Sequence, residues 1–221
     1  MGFQTPIIIT NFKAYEQSTG AEAVELAKEH ERLATELGVN FAVAGQALDL
    51  CMLAASVSIP VLAQHIDGVG YGANTGQVPA EIAHSVGVDG SLLNHSEMRI
   101  SDSQIERALE DMKSMGMLSV VCAENVIEGK KYADMGADFI AVEPPELIGG
   151  DISVSTAKPE LIEEAVAIIG AGKVLVGAGV KNGEDVRVAM KLGAAGILVA
   201  SGVIKAENPT AALRDLASGI I

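Results

Sequence analysis

Side chains able to do chemistry collect in five short stretches of this 221-residue chain: NFK at 11–13, LNHSE at 93–97, AVEPPELIGG at 141–150, GAGV at 177–180 and LVASG at 198–202. Between them they offer an amide and an ammonium (Asn11, Lys13), an imidazole with a carboxylate two residues on (His95, Glu97), a carboxylate held against two prolines (Glu143), and two late glycine-rich turns. Backbone amides of glycine-rich turns and helix N-termini bind phosphate without needing a cationic surface. A carboxylate and an imidazole together are more than binding alone needs. Taken singly, each residue has a plainer explanation. Lys13 could be a solvated lysine at the surface, His95 a hydrogen-bonded structural histidine, and Glu143 the close of a strand that Pro144 keeps extended. The glycines could be turn or packing residues. The joint occurrence is what those explanations miss, and it makes sense only if one scaffold brings the stretches to the same place.

That scaffold is legible in the periodicity. Short apolar runs at 6–13, 41–46, 59–66, 90–96, 117–124, 137–144, 173–179 and 194–201 alternate with amphipathic segments such as 21–37, 103–115 and 160–169. The runs are aliphatic and lack a polar alternate face, so they read as strands buried on both sides. Ser101 with Gln104 has capping-box spacing, and Pro159 sits where a first-turn proline belongs. Eight β-then-α units in one chain predict a closed (β/α)8 TIM barrel of eight parallel strands with helices outside, spanning 1–221 as a single domain. An open doubly wound sheet is disfavoured because no G-x-G-x-x-G turn follows the first strand. In a barrel the strand C-termini face one mouth, and the chemistry-bearing residues all fall at those ends: Asn11 and Lys13, Gln46, Gln64 and His65, Asn94 and His95, Glu124, Glu143, Gly177 and Gly179, Ser201 and Gly202.

Composition narrows the partners. Hydrophobic residues make up 49% of the chain and aromatic ones 3%, so the core is aliphatic. A net charge of −14 argues against nucleic acid or anionic membrane as a general partner, since both need a cationic face. A small phosphorylated ligand remains possible through local donors. No apolar run reaches the roughly 20 residues of a membrane span. The start is not signal-like, and Cys51 and Cys122 have no metal-like spacing, which points to a reduced, cytoplasmic compartment.

The five stretches, in this order and at these strands, resemble the triosephosphate isomerase family in its short archaeal form, across essentially the whole chain. The resemblance implies a TIM barrel that interconverts dihydroxyacetone phosphate and glyceraldehyde 3-phosphate, a step of glycolysis and gluconeogenesis, through an enediolate and with neither cofactor nor metal. By resemblance Glu143 is the base, and His95 is a neutral-imidazole electrophile beside a helix start supplied by 96–101. Lys13 supplies positive charge, Asn11 orients it and the substrate, and Glu97 stands one layer behind. Phosphate would rest on amides near Ile148, Gly149, Gly179, Ala200, Ser201 and Gly202, with 146–150 as part of a mobile lid rooted at Pro144 and Pro145. Thr75 matches a loop that family members insert into a neighbouring subunit, implying a dimer or a tetramer. One departure stands out: DISVS at 151–155 replaces a pattern closer to small–Gly–Ile–Pro–Val–Ser, placing Asp151 and Ser153 beside the expected phosphate loop.

Competing readings are a metal-dependent sugar-phosphate epimerase, a Schiff-base aldolase, and a non-catalytic phosphosugar-binding barrel. The strand ends are poor in His and Asp for the first. For the second, Lys13 is the only lysine at a strand's C-terminal end, since Lys173 begins its strand.

Overall fold

The computed structural model describes residues 3–143 and 159–221. Their strands are β1 (Ile7–Asn11), β2 (Asn40–Gly45), β3 (Val61–Ala63), β4 (Gly90–Leu93), β5 (Leu118–Ala123), β6 (Phe139–Val142), β7 (Val174–Val176) and β8 (Gly196–Val199). All neighbours pair parallel, and β8 closes onto β1 through registers such as Ile9 with Leu198, giving a closed barrel in sequence order. The helices are α1 (Ala21–Leu37), α2 (Leu50–Ser56), α3 (Ala80–Ser85), α4 (Asp102–Ser114), α5 (Val126–Asp134), α6 (Pro159–Ile169), α7 (Gly183–Lys191), α8 (Ser201–Ile204) and α9 (Pro209–Ser218). The predicted barrel is the observed one. Strands are shorter than the apolar runs: β3 holds three residues of the run 59–66, because the run's end residues leave the ladder to build the loops.

Residue alternation explains the layers. In β1, Ile7 and Ile9 enter the cluster that fills the barrel, with Leu62, Leu92, Val120, Cys122, Ala141, Leu175 and Leu198. Ile8 faces the surrounding helices instead. The strands are thus buried on both faces and largely apolar, with a few buried polar residues such as Thr10, Ser91 and Ser119, as suits parallel strands under crossover helices. Local signals agree with the long-range order. The Ser101 N–H donates to Gln104 Oε1 at 3.0 Å at the start of α4, and Gly38 ends α1 at φ 67, donating to the Ala34 carbonyl. Left-handed geometry carries no Cβ penalty at glycine, so the helix can stop there.

The inward file of each strand carries the site. Positions 7, 9 and 11 put Asn11 at the mouth above Ile9; 139, 141 and 143 do the same for Glu143 above Ala141. Strand β4 is the exception. Leu92 points inward and Leu93 outward, so strict alternation would send His95 out with Leu93. Asn94 interrupts the extension at φ 60, and His95 turns into the mouth instead.

Candidate active site

Asn11, Lys13, His95, Glu97, Glu143, Gly179, Ala200, Ser201 and Gly202 line one cavity of about 450 Å3 at the strand C-termini. Ile148 and Gly149 lie outside the described residues, as do Pro144, Pro145, Gly150, Asp151 and Ser153. Gly177, read from sequence as a strand-end residue, shares the cavity, as do Tyr15 and Lys181, which were not singled out from sequence. Tyr15 and Lys181 each sit two positions beyond a residue that was, so following the strand-end files two residues further would have found them.

The first strand end is shaped by its own side chains. Asn11 Oδ1 accepts the Lys13 N–H at 3.0 Å, closing a tight turn in which Lys13 takes φ 49. Gln64 holds that turn from β3's end, donating from Nε2 to the Lys13 carbonyl at 3.0 Å and to Ala44 at 3.3 Å. The ammonium is drawn to Glu97 Oε1 at 2.7 Å. Lys13 is thereby fixed at both backbone and head group.

His95 is presented by a turn rather than by the helix start expected at 96–101. The Met98 N–H closes the turn on the His95 carbonyl at 2.8 Å, and α4 begins only at Asp102. A single amide meets the ring where a helix terminus was expected: the Glu97 N–H donates to His95 Nδ1 at 3.1 Å. With Nδ1 accepting, the proton of the neutral ring belongs on Nε2. Burial, and then the Lys13 ammonium, hold the imidazole's pKa below its ordinary value, while Glu97 pulls the other way. His95 Nε2 lies 3.8 Å from Glu143 Oε2, so the two face each other beyond direct hydrogen-bond range.

Glu143 follows the last residue of β6, and its N–H extends the ladder to the Ala123 carbonyl at 2.8 Å. Its side chain is 6% exposed, and Oε2 has no hydrogen-bond partner among the described residues. Desolvation raises its pKa from 4.5 to about 7, outweighing the pull of Lys13 and a hydrogen bond from the Cys122 thiol. Cys122 is the inward residue of β5, fully buried beneath the carboxylate, and burial together with Glu143 pushes its own pKa well up, so it stays a neutral thiol. Gly177 supplies the remaining room. A Cβ there would stand 2.6 Å from Glu143 Cγ and 2.7 Å from Oε1.

At the opposite rim, Gly179 turns at φ 67 and α8 opens with Ser201 and Gly202. The first N–H groups of a helix have no carbonyl one turn back, which leaves them free for an anion. His65, given no role from sequence, contacts Asp67 Oδ1 at 3.1 Å and braces the base of loop 68–77, where the Val78 N–H donates to Asp67 Oδ2 at 2.7 Å. Among the described residues, no three His, Cys, Asp or Glu side chains gather as a metal-ligand cluster, and no helix is long and apolar enough to cross a membrane.

The sequence model of triosephosphate isomerase matches residues 6–217. The chain belongs to the triosephosphate isomerase family. Among its relatives, the triosephosphate isomerase of Methanothermobacter thermautotrophicus is 49% identical over 192 residues, covering 85% of this chain and 84% of that protein. The same-named proteins of Methanothermus fervidus and Methanocaldococcus jannaschii are 46% identical over 191 residues and 44% over 190; the matches cover 85% and 84% of this chain and 86% and 87% of theirs. The family's motifs, expected at the strand ends from sequence, fall around one mouth here: Asn11, Lys13, His95 and Glu143 from β1, β4 and β6 meet with the glycine-rich turns after β7 and β8.

Proposed function

We propose that residues 1–221 act as one barrel domain that interconverts dihydroxyacetone phosphate and glyceraldehyde 3-phosphate by proton transfer through an enediolate. The observation that carries the reading is the pair Glu143 and His95, facing across 3.8 Å with Lys13 beside them. Glu143 removes the carbon-bound proton and returns it to the neighbouring carbon. Its pKa of about 7 matches the proton-accepting and proton-releasing halves of that task near neutral pH. His95 donates from Nε2 to the carbonyl and enediolate oxygens as a neutral ring, a role supported by the amide held on Nδ1. Lys13, oriented by Asn11, offsets the charge developing on the oxyanion, and Glu97 holds its ammonium in place. Substrate phosphate rests on amides of Gly179, Ala200, Ser201 and Gly202, with Ile148 and Gly149 contributing from the segment beyond Glu143.

Burying a carboxylate oxygen without a partner costs stability, which a barrel that only binds a phosphosugar has no use for. The reading is tested with purified, chelator-treated protein in a coupled assay. Metal- and cofactor-free turnover in both directions is expected; a folded protein without turnover would end it. Glu143→Gln should lower kcat by orders of magnitude while substrate still binds.

We further read the protein as a cytoplasmic homo-oligomer, dimer or tetramer. Loop 68–77 carries Thr75 and the 71%-exposed Tyr71, and Leu48 is 97% exposed, which suits burial against a second copy. Light scattering of the purified protein decides the state, and a monomer at working concentration would refute it.

A further inference from the structure

The turn that carries His95 and Glu97 is gripped by α5 at both ends. At its root, the buried Asn94 amide is engaged at both ends: Nδ2 donates to the Cys122 carbonyl at 3.1 Å and to the Tyr132 hydroxyl at 3.2 Å, and Oδ1 accepts the Ile100 N–H at 3.0 Å. The last bond closes 94–100 on itself. At the far end, Arg99 pairs with Glu128 of α5. The circuit is completed at α5, where the Tyr132 hydroxyl donates to Glu128 Oε1 at 2.8 Å, while Glu128 Oε2 accepts the N–H of Glu124, just ahead of the helix, at 2.7 Å. A continuous chain thus runs Arg99–Glu128–Tyr132–Asn94.

Asn94 is the residue whose left-handed backbone reverses the alternation of β4 and aims His95 inward. Left-handed geometry in a residue with a Cβ costs on the order of 1 kcal/mol, so it persists only where surroundings impose it. Tyr132 is one of those surroundings. It is 2% exposed, packs its ring in the outer core, and is absent from the residues lining the cavity. We propose that Tyr132 is a positioning residue: its hydroxyl, accepting from Asn94 and donating to Glu128, holds the turn that orients His95 toward the reacting oxygens. The proposal rests on the reading of His95 as electrophile.

Tyr132→Phe removes one oxygen and keeps the ring, so packing survives while both hydrogen bonds are lost. The test measures kcat and KM for wild type, Tyr132→Phe, His95→Gln and the double variant, with folding followed by near-UV circular dichroism. Tyr132→Phe should lower kcat roughly tenfold with KM changed less than about twofold, as expected for a misaimed group that acts in the transition state. In the His95→Gln background the same change should cost nothing further, because the group it aims is gone. Unchanged kcat in Tyr132→Phe, or a tenfold loss that recurs in full without His95, would overturn the proposal. Wild-type speed in His95→Gln alone would instead remove the electrophile reading and this proposal with it. If Tyr132→Phe does not fold, Glu128→Ala, which strips the acceptor from the Tyr132 hydroxyl, enters the same cycle beside Arg99→Ala, since Glu128 also holds Arg99: a His95-dependent loss in Glu128→Ala beyond that of Arg99→Ala supports the proposal, and equal losses in the two overturn it.

Discussion

Replacing Glu143 by glutamine keeps the side chain's shape and removes its charge, and the buried carboxylate makes the consequence for stability calculable. Glu143 is raised from 4.5 to about 7 by desolvation. Below about pH 4 the carboxyl is protonated in folded and unfolded chains alike, and no penalty exists. As pH rises through 4.5 the unfolded chain ionises freely while the folded one resists, so native stability falls. The loss is complete once pH passes the folded value near 7. At about 1.36 kcal/mol per pH unit, the interval amounts to about 3 kcal/mol. Glutamine has no proton to lose and escapes this cost. The stability difference between variant and wild type should therefore grow by about 3 kcal/mol from about pH 4 to about pH 8.5, read by urea denaturation. For a chain of this size that corresponds to roughly 6 to 12 °C in Tm. Titrating groups that do not interact with Glu143 cancel in the difference, the coupled Cys122 thiol is held neutral by its own burial, and an unpaired glutamine amide adds only a pH-independent offset. The variant would be catalytically crippled yet more stable at high pH, a trade between activity and stability at one residue. A difference that stays flat with pH would refute the claim that burial without a partner governs this carboxylate.

Three further outcomes follow from the same geometry. The kcat/KM profile should lose activity with falling pH around a pKa near 7, because Glu143 as the proposed base accepts a proton only when ionised; an acid limb near pH 4.5 would contradict the assigned environment. Gly177→Ala places a Cβ within 2.6 Å of Glu143 Cγ, so the carboxyl must move; kcat should fall by roughly tenfold to a hundredfold with little change in Tm, and a wild-type kcat would show that the base can yield at no cost. His30, fully buried between Phe12 and Phe41 and bonded to the Leu26 carbonyl and Thr10 Oγ1, is lowered from 6.5 to about 4 by burial. Its unfolded form takes up a proton first, so stability is intact above 6.5 and lost as pH falls toward 4, by up to about 3 kcal/mol. His30→Leu should flatten that acid limb of the stability curve, and an unaltered slope would rule His30 out as its source.

The order of strands and helices was written in the sequence, because hydrophobic period is a local property. Runs such as IIIT and GILV, buried on both faces, admit little besides a parallel strand, and the capping signals at Ser101 and Gly38 act within one turn. The mouth's main occupants were equally legible, since two-residue alternation carries Ile7 and Ile9 on to Asn11, and Phe139 and Ala141 on to Glu143. His95 is where that logic stopped. Alternation alone sends it outward, and its true direction depends on Asn94's backbone, held by Cys122 and Tyr132 some 28 and 38 residues away in sequence. The helix start expected at 96–101 proved to be a turn up to Ser101, with one amide rather than a helix end donating to the imidazole. Sequence by itself determined which groups are available and at which end of the barrel they stand. Only the tertiary structure decided their state: Glu143's raised pKa, the neutral Nε2–H of His95 and the grip of Glu97 on Lys13 come from desolvation and contacts between strands distant in the chain, which no local pattern encodes.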